Sequence, residues 1–345
     1  VGVLTYKKWV AIVLLATALL ALVAFFSVTT GTGLGFAESI STIFFPSSSK
    51  LASYQIIWQV RLPRVLLAII VGAALSISGA SFQAILRNPL AEPYILGLSS
   101  GGALGAVVAV FLGINAVGFV FLGFSLMMIF AFAGCLLTVV IVYSLAFGTG
   151  THMRHSLILT GVIAGAFLAS FVLFLTSLLE IDRLHSVIYW MMGNLASPLE
   201  ESSLVALAVY TLAGSLFLFT RARAFNALAF GDDTACSLGI DPARTRRNTF
   251  IAASLVVSAS VSATGLIGFV GLIVPHSVRL LFGSDNRIVL PVSFLLGGSF
   301  LAAADLAARI IIQNQQLPVG VITALCGAPV FLILMRAKMN TSYFG

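Results

Sequence analysis

Charge is scarce in this chain: only 8% of its 345 residues are Asp, Glu, Lys or Arg, against about a quarter in a water-soluble domain. Lysine is the scarcest. Its four copies, Lys7, Lys8, Lys50 and Lys338, never follow a glycine, so no Gly-x-x-x-x-Gly-Lys-Ser/Thr loop exists to cradle the phosphates of ATP. Within the apolar runs Asp305 is the main acidic candidate, which leaves an ion-coupled carrier short of the buried proton or sodium sites it needs. Cys135, Cys236 and Cys326 are widely separated, share no metal-ligand spacing and imply no disulfide framework. No repeat of roughly 20 to 50 residues and no low-complexity linker is evident, so residues 1–345 read as a single domain.

What the chain has in abundance is apolar sequence. Hydrophobic residues make up 60%, and the mean hydropathy is +1.12. Runs of about 20 apolar residues, each enough to cross a hydrocarbon core of about 30 Å as a helix, recur along the whole length. A β-barrel would show short alternating strands instead. The expectation is an all-α polytopic membrane protein with about ten spans, near residues 9–29, 64–86, 95–113, 117–146, 156–178, 203–220, 249–267, 270–283, 289–312 and 319–336. The first run follows Lys7 and Lys8 as a signal peptide would, but it is too long and lacks a convincing cleavage site before Gly35.

A formal charge of +7 suggests nucleic acid at first sight, yet the basic residues are dispersed between apolar runs. Ten spans with the N-terminus inside place Lys7, Lys8, Arg87, Arg154, Arg221 to Arg223, Arg244 to Arg247, Arg279, Arg287, Arg336 and Lys338 on the cytoplasmic face. Lys50, Arg61, Arg64, Arg183 and Arg309 remain outside, and this asymmetry is the positive-inside bias. It predicts a multi-pass protein of a cytoplasmic (inner) membrane with both termini cytoplasmic, in contact with lipid and not with nucleic acid.

Between Arg247 and Arg279 the chain must go out and return, where two ordinary crossings need roughly 40 residues. Gly265, Gly268, Gly271 and Pro275 there predict a short, interrupted return helix, tolerable at membrane depth only where protein or a water-filled cavity covers the broken backbone. A single crossing is the competing topology, and it puts Arg336 and Lys338 on the wrong face.

Four segments carry the functional signal. The first runs from Arg61-Leu62-Pro63-Arg64 through Gly72 to Gln83, then Arg87-Asn88-Pro89-Leu90-Ala91-Glu92-Pro93 and Leu96-Gly97-Leu98-Ser99-Ser100-Gly101-Gly102-Ala103. The second is Leu228-Ala229-Phe230-Gly231-Asp232-Asp233-Thr234-Ala235-Cys236-Ser237-Leu238-Gly239-Ile240, the third Gly265 to His276 with Arg279 one turn later, and the fourth Ala304 to Arg309 with Leu317 to Gly320 and Gly327 to Pro329. Each is weak alone; in this order and spacing, from Arg61 to Met335, they resemble the permease family of iron-siderophore, heme and vitamin B12 ABC importers.

That resemblance implies a homodimer enclosing a central path, two cytoplasmic ABC ATPase subunits that use ATP and Mg, and an extracytoplasmic substrate-binding protein. It implies no catalytic residue, cofactor or metal in this chain. The segment near 228–240, with Leu228, Gly231, Asp232, Asp233, Ala235, Leu238 and Gly239, corresponds to the family's ATPase-coupling helices; Asp232 and Asp233 near a helix start also suit its dipole. Arg61, Arg64 and Arg309 correspond to arginines that pair with a glutamate on each lobe of the binding protein. Ser99, Ser100, Gly101 and Gly102 correspond to the translocation path, and Met153, Arg154 and His155 stand near the family's inner gate, with bulkier side chains than its usual small hydroxyl residues.

Plainer readings stand beside these. Gly72, Gly79, Gly101 and Gly102 serve close helix approach. Asp305 and Arg309, four apart, form a private ion pair. His276 after Pro275 is structural rather than a heme ligand. An ion-coupled secondary transporter of a bulky hydrophilic substrate is the rival function.

Overall fold

A computed structural model describes residues 5–45, 50–114, 120–121, 124–146, 153–196, 199–311 and 317–342. The chain forms fifteen α-helices among these residues and one short antiparallel hairpin, β1 (Val120–Phe121) and β2 (Phe124–Ser125). The helices are α1 (Tyr6–Thr29), α2 (Phe36–Phe44), α3 (Leu51–Gln55), α4 (Leu62–Leu86), α5 (Leu98–Phe111), α6 (Leu126–Ala146), α7 (Met153–Ser177) and α8 (Ile181–Met191). They continue with α9 (Glu201–Thr220), α10 (Ala222–Ala229), α11 (Asp232–Ser237), α12 (Pro242–Thr264), α13 (Val270–Phe282), α14 (Asn286–Ile310) and α15 (Val319–Ser342).

Among the described residues six segments are long and apolar enough to cross a membrane, fewer than the ten that the apolar runs suggest: α1, the continuous stretch Leu51–Leu86, α6, Ser156–Ser177, α9 and α14. Three further apolar helices are shorter, Leu98–Phe111, Val270–Phe282 and Val319–Leu332. The second span does not begin at residue 64. A π-helical turn over Ile56–Arg61 joins α3 to α4 without a break.

α4 is the axis of the bundle, buried along nearly its whole length against α12, α13 and α14. In lipid there is no hydrophobic gain from helix association, so contact depends on backbones coming close enough to pack. Small residues provide this. A Cβ on Gly72 would collide with the Gly297 carbonyl of α14, and one on Gly79 with the Gly271 carbonyl of α13. α1 is the opposite case, with Leu14, Leu15 and Leu22 exposed on a helix that is mostly uncovered.

The break near 265–269 is present. α12 ends at Gly265, whose φ of +73° suits glycine, and α13 restarts from Phe269 at φ +69°, a left-handed conformation that a bulky side chain rarely adopts. α13 spans 13 residues, about 20 Å at 1.5 Å per residue, which is shorter than a hydrocarbon core of about 30 Å.

Candidate functional site

Two polar clusters mark the two ends of the bundle. At the end carrying α10 and α11, those short helices form a pair that buries Ala227, Leu228 and Ala235 against Ile240. Gly231, at φ +129°, ends the turn between them, and Asp232 opens α11. The Asp232 carboxylate takes two bonds from Arg246 near the start of α12, at 2.9 and 2.6 Å, and one from Arg87, the left-handed cap of α4, at 2.8 Å. Arg246 Nε also donates to the Ile85 carbonyl at 3.3 Å. One carboxylate therefore fixes the α10–α11 pair to both α4 and α12. Asp233, Leu238 and Gly239 remain outside this clamp, and Phe230 (79% exposed) and Leu238 (65%) project from the pair as uncovered apolar side chains.

A second network beside it was not apparent from the sequence. Asn226 of α10 donates to Asp285 at 2.7 Å and accepts from the Asn286 backbone and side chain at 2.8 and 2.9 Å. Asn286 in turn accepts from Arg279 at 3.2 Å, whose guanidinium also reaches the Ala80 carbonyl of α4 at 3.1 Å. Asp285 caps α14, and its carboxyl is held down at about 2, first by the Arg287 side chain, then by the Arg287 backbone N–H and Asn226, against the opposing pull of burial. A depressed carboxyl contributes stability that is whole above its unfolded value near 3.8 and is lost as pH falls toward about 2. Asp285→Asn should accordingly flatten the loss of thermal stability between about pH 4 and pH 2; an unchanged acid profile would remove this assignment.

At the opposite end lie the three arginines expected to face a docking partner. The structure brings them together but turns them inward, with Arg61 4%, Arg64 8% and Arg309 7% exposed around the fully buried Asp305. Arg64 bonds Asp305 Oδ1 through Nη2 at 2.8 Å and Nε at 2.9 Å. Arg309 Nε lies 3.1 Å from Asp305 Oδ2, an ion pair four residues apart whose angle falls outside hydrogen-bond geometry. The remaining positive charge meets the C-terminal end of α1. Arg61 donates to the carbonyls of Val28 and Thr29 at 3.1 and 3.3 Å and to those of Thr32 and Leu34 at 3.1 Å, while Arg309 donates to Ser27 at 2.9 Å. The last turn of α1 carries no basic residue of its own, so two distant guanidiniums supply the cap and complement the helix dipole.

Of the residues expected along a path, Gly101 and Gly102 are buried in packing: a Cβ on Gly101 would strike Thr138 and Gly134 of α6, and one on Gly102 would come 2.8 Å from Val261 and 2.9 Å from Cys135. Ser99 and Ser100, at the start of α5, are half-buried. Met153, Arg154 and His155 form the first turn of α7, and their side chains lie outside the described residues. His276 is buried within α13. Among the described residues no group of three or more His, Cys, Asp or Glu side chains could hold a metal.

A central buried helix, a break between α12 and α13, and a pair of short helices clamped to the bundle beneath uncovered apolar side chains make up a multi-span all-α membrane fold. The chain belongs to the FecCD transport family, whose model matches residues 16–337. It is 44% identical over 287 residues to the cobalamin import system permease protein BtuC of Halobacterium salinarum, covering 82% of this chain and 74% of that one. The vitamin B12 import system permease protein BtuC of Escherichia coli is 38% identical over 289 residues, covering 82% and 84%. Among solved structures, an inward-facing ABC transporter assigned to the metal-chelate type superposes with a TM-score of 0.82 at 30% identity, covering 95% of this chain and 99% of that one.

Proposed function

We propose that this chain is the membrane-spanning permease of an ABC importer, working as a homodimer with two cytoplasmic ATPase subunits and an extracytoplasmic binding protein. Its cargo is an iron chelate, a siderophore or heme complex, or a cobalamin. The observation that carries the reading is the α10–α11 pair, which presents Phe230 and Leu238 uncovered while Asp232 anchors it to α4 and α12. Such a surface suits a soluble partner that moves and must move the bundle with it.

On this reading the chain crosses the membrane ten times. The six long apolar segments and three shorter helices supply nine crossings, and α12 supplies the tenth: its 23 residues suffice in length, although Arg244, Arg246 and Arg247 near its start lower its apolarity. The end carrying α10 and α11 is then cytoplasmic, as are both termini. Exposed Leu159, Val162, Ile163, Phe167, Phe171 and Phe174 along α7 support a second copy or lipid against that helix, with Ser99 and Ser100 near the path between copies and Met153 to His155 near its inner gate. The binding protein meets the other end. Because Arg61, Arg64 and Arg309 are engaged internally, its carboxylates would have to take over contacts now made to α1 and Asp305, and such docking weakens as salt rises.

An ion-coupled carrier is the rival, and the pairing of Asp305 with two arginines counts against its serving as a coupling site. The test is reconstitution in liposomes. Uptake of ferric siderophore, heme or cobalamin should require the ATPase subunits, ATP and the binding protein together, and the purified chain alone should hydrolyse no ATP. Uptake driven by an ion gradient without the ATPase would overturn the proposal.

A further inference from the structure

The segment between α4 and α5 does more than connect them. After Arg87 the chain turns on Asn88, whose side chain accepts from the Leu90 N–H at 2.9 Å and whose carbonyl accepts from Ala91 at 3.1 Å. A short 3-10 turn, Pro93–Leu96, follows, with Ile95 donating to the Glu92 carbonyl at 3.1 Å and Gly97 to that of Tyr94 at 3.0 Å. Pro89 and Pro93 fix φ at two positions, so residues 88–97 form a stiff strap rather than a slack loop.

This strap ends on the broken backbone between α12 and α13. The Glu92 carboxylate accepts from the Phe269 N–H at 2.5 Å, and the Tyr94 hydroxyl oxygen accepts from the Ile267 N–H at 2.7 Å. Neither donor has a backbone partner in the break, where an unsatisfied N–H away from water costs several kcal/mol, on the order of a lost hydrogen bond or more. Phe269 is also the residue in the left-handed conformation, so the carboxylate holds the one strained position from which α13 starts, on the positive end of its dipole. The other end of the strap is Arg87, which grips Asp232. Only four residues, Asn88 to Ala91, separate the grip on the α10–α11 pair from the clasp on the break.

We infer that Glu92, seconded by Tyr94, is a positioning residue of the transport cycle: it fixes the start of α13 and makes displacement of α11 shift the α12–α13 break through the strap. This rests on the coupling role of the α10–α11 pair proposed above. A packed, stiff connection passes a displacement on instead of absorbing it, whereas a strap released at Glu92 would let the break relax independently.

The experiment compares Glu92→Ala with Glu92→Gln in the full complex of permease, ATPase and binding protein in liposomes, reading substrate taken up per ATP hydrolysed and hydrogen exchange at residues 267–269. Gln keeps an acceptor of the same reach and loses the charge. The expected result is at least a tenfold fall in uptake per ATP for Glu92→Ala with faster exchange at 267–269, and Glu92→Gln within threefold of the wild type. Wild-type stoichiometry in Glu92→Ala, or a Glu92→Gln as defective as Glu92→Ala, overturns the assignment. If Glu92→Ala does not insert, Tyr94→Phe decides on the same two readings, since it deletes only the acceptor for Ile267. Asp232→Ala run in parallel separates the two proposals: uncoupling by Glu92→Ala while Asp232→Ala transports normally leaves the clasp in place but refutes transmission from α11.

Discussion

Asp305→Ala is expected to abolish recovery of folded protein from the membrane, and Asp305→Leu combined with Arg64→Met to restore a substantial part of it. The single change takes from Arg64 and Arg309, both buried, the carboxylate that they share. Breaking a buried pair from one side costs about 3–5 kcal/mol, and a typical domain has only about 5–15 kcal/mol in hand. Replacing Asp305 and Arg64 together by apolar groups of similar volume removes one of the two buried positive charges, and Arg309 keeps its bond to the Ser27 carbonyl. The measurement is monodisperse yield and thermal midpoint in detergent. Charge reversal at Arg61, Arg64 or Arg309 is expected to act in the same way before any effect on a docking partner can be read. If Arg64→Glu inserts and melts normally but loses salt-dependent binding to the binding protein, the arginines serve the interface and the internal lock is incidental.

Asp232→Ala and Gly239→Val are expected to lower uptake at least tenfold while the permease stays inserted. Asp232 is partly open to solvent, so its bonds to Arg87 and Arg246 add little to global stability. Their effect is directional: without them α11 loses its clamp to α4 and α12, and the pair is held to the bundle only through α10, by Asn226 and the buried Ala222 and Phe225. Gly239 has nothing within 4 Å of a Cβ, so the defect would come from backbone conformation, φ +76°, where a β-branched residue costs about 1–2 kcal/mol. Gly239→Asn, which tolerates that conformation better, should be milder than Gly239→Val. Co-purification with the ATPase and its stimulation by the binding protein are the readings. Unchanged transport and unchanged stimulation in both variants would take the coupling role away from this segment.

The helices were legible because the membrane imposes one length and one composition on whatever faces it. The break was legible too, through the shortage of residues between Arg247 and Arg279 and the glycines and Pro275 within them. The stretch 228–240 proves to hold the end of one short helix and the whole of a second, although nothing local pointed to Asp232 as a clamp, since its partners lie 14 and 145 residues away. The arginines were misjudged in direction. Sequence places Arg61 and Arg309 at helix ends near one face, but their acceptors are carbonyls of α1, which carry no side-chain signature. Glu92 escaped for a related reason: it sits in what reads as an ordinary connection, and only its bond to the left-handed Phe269, 177 residues away, makes its carboxylate consequential.

The capping of α1 also sets an order of assembly. As the chain leaves the ribosome, the carbonyls that end α1 still lack the guanidiniums that cap them in the finished fold. Arg61 follows after only 32 or 33 residues, whereas Arg309 comes 279 to 282 residues later. At about 5–20 residues per second, that second donor arrives roughly a quarter of a minute to a minute after the first helix is made. Arg61 is then the early guardian of a nascent end, and the Arg64, Asp305 and Arg309 lock is a late closure that can form only when nearly the entire chain has been delivered to the membrane.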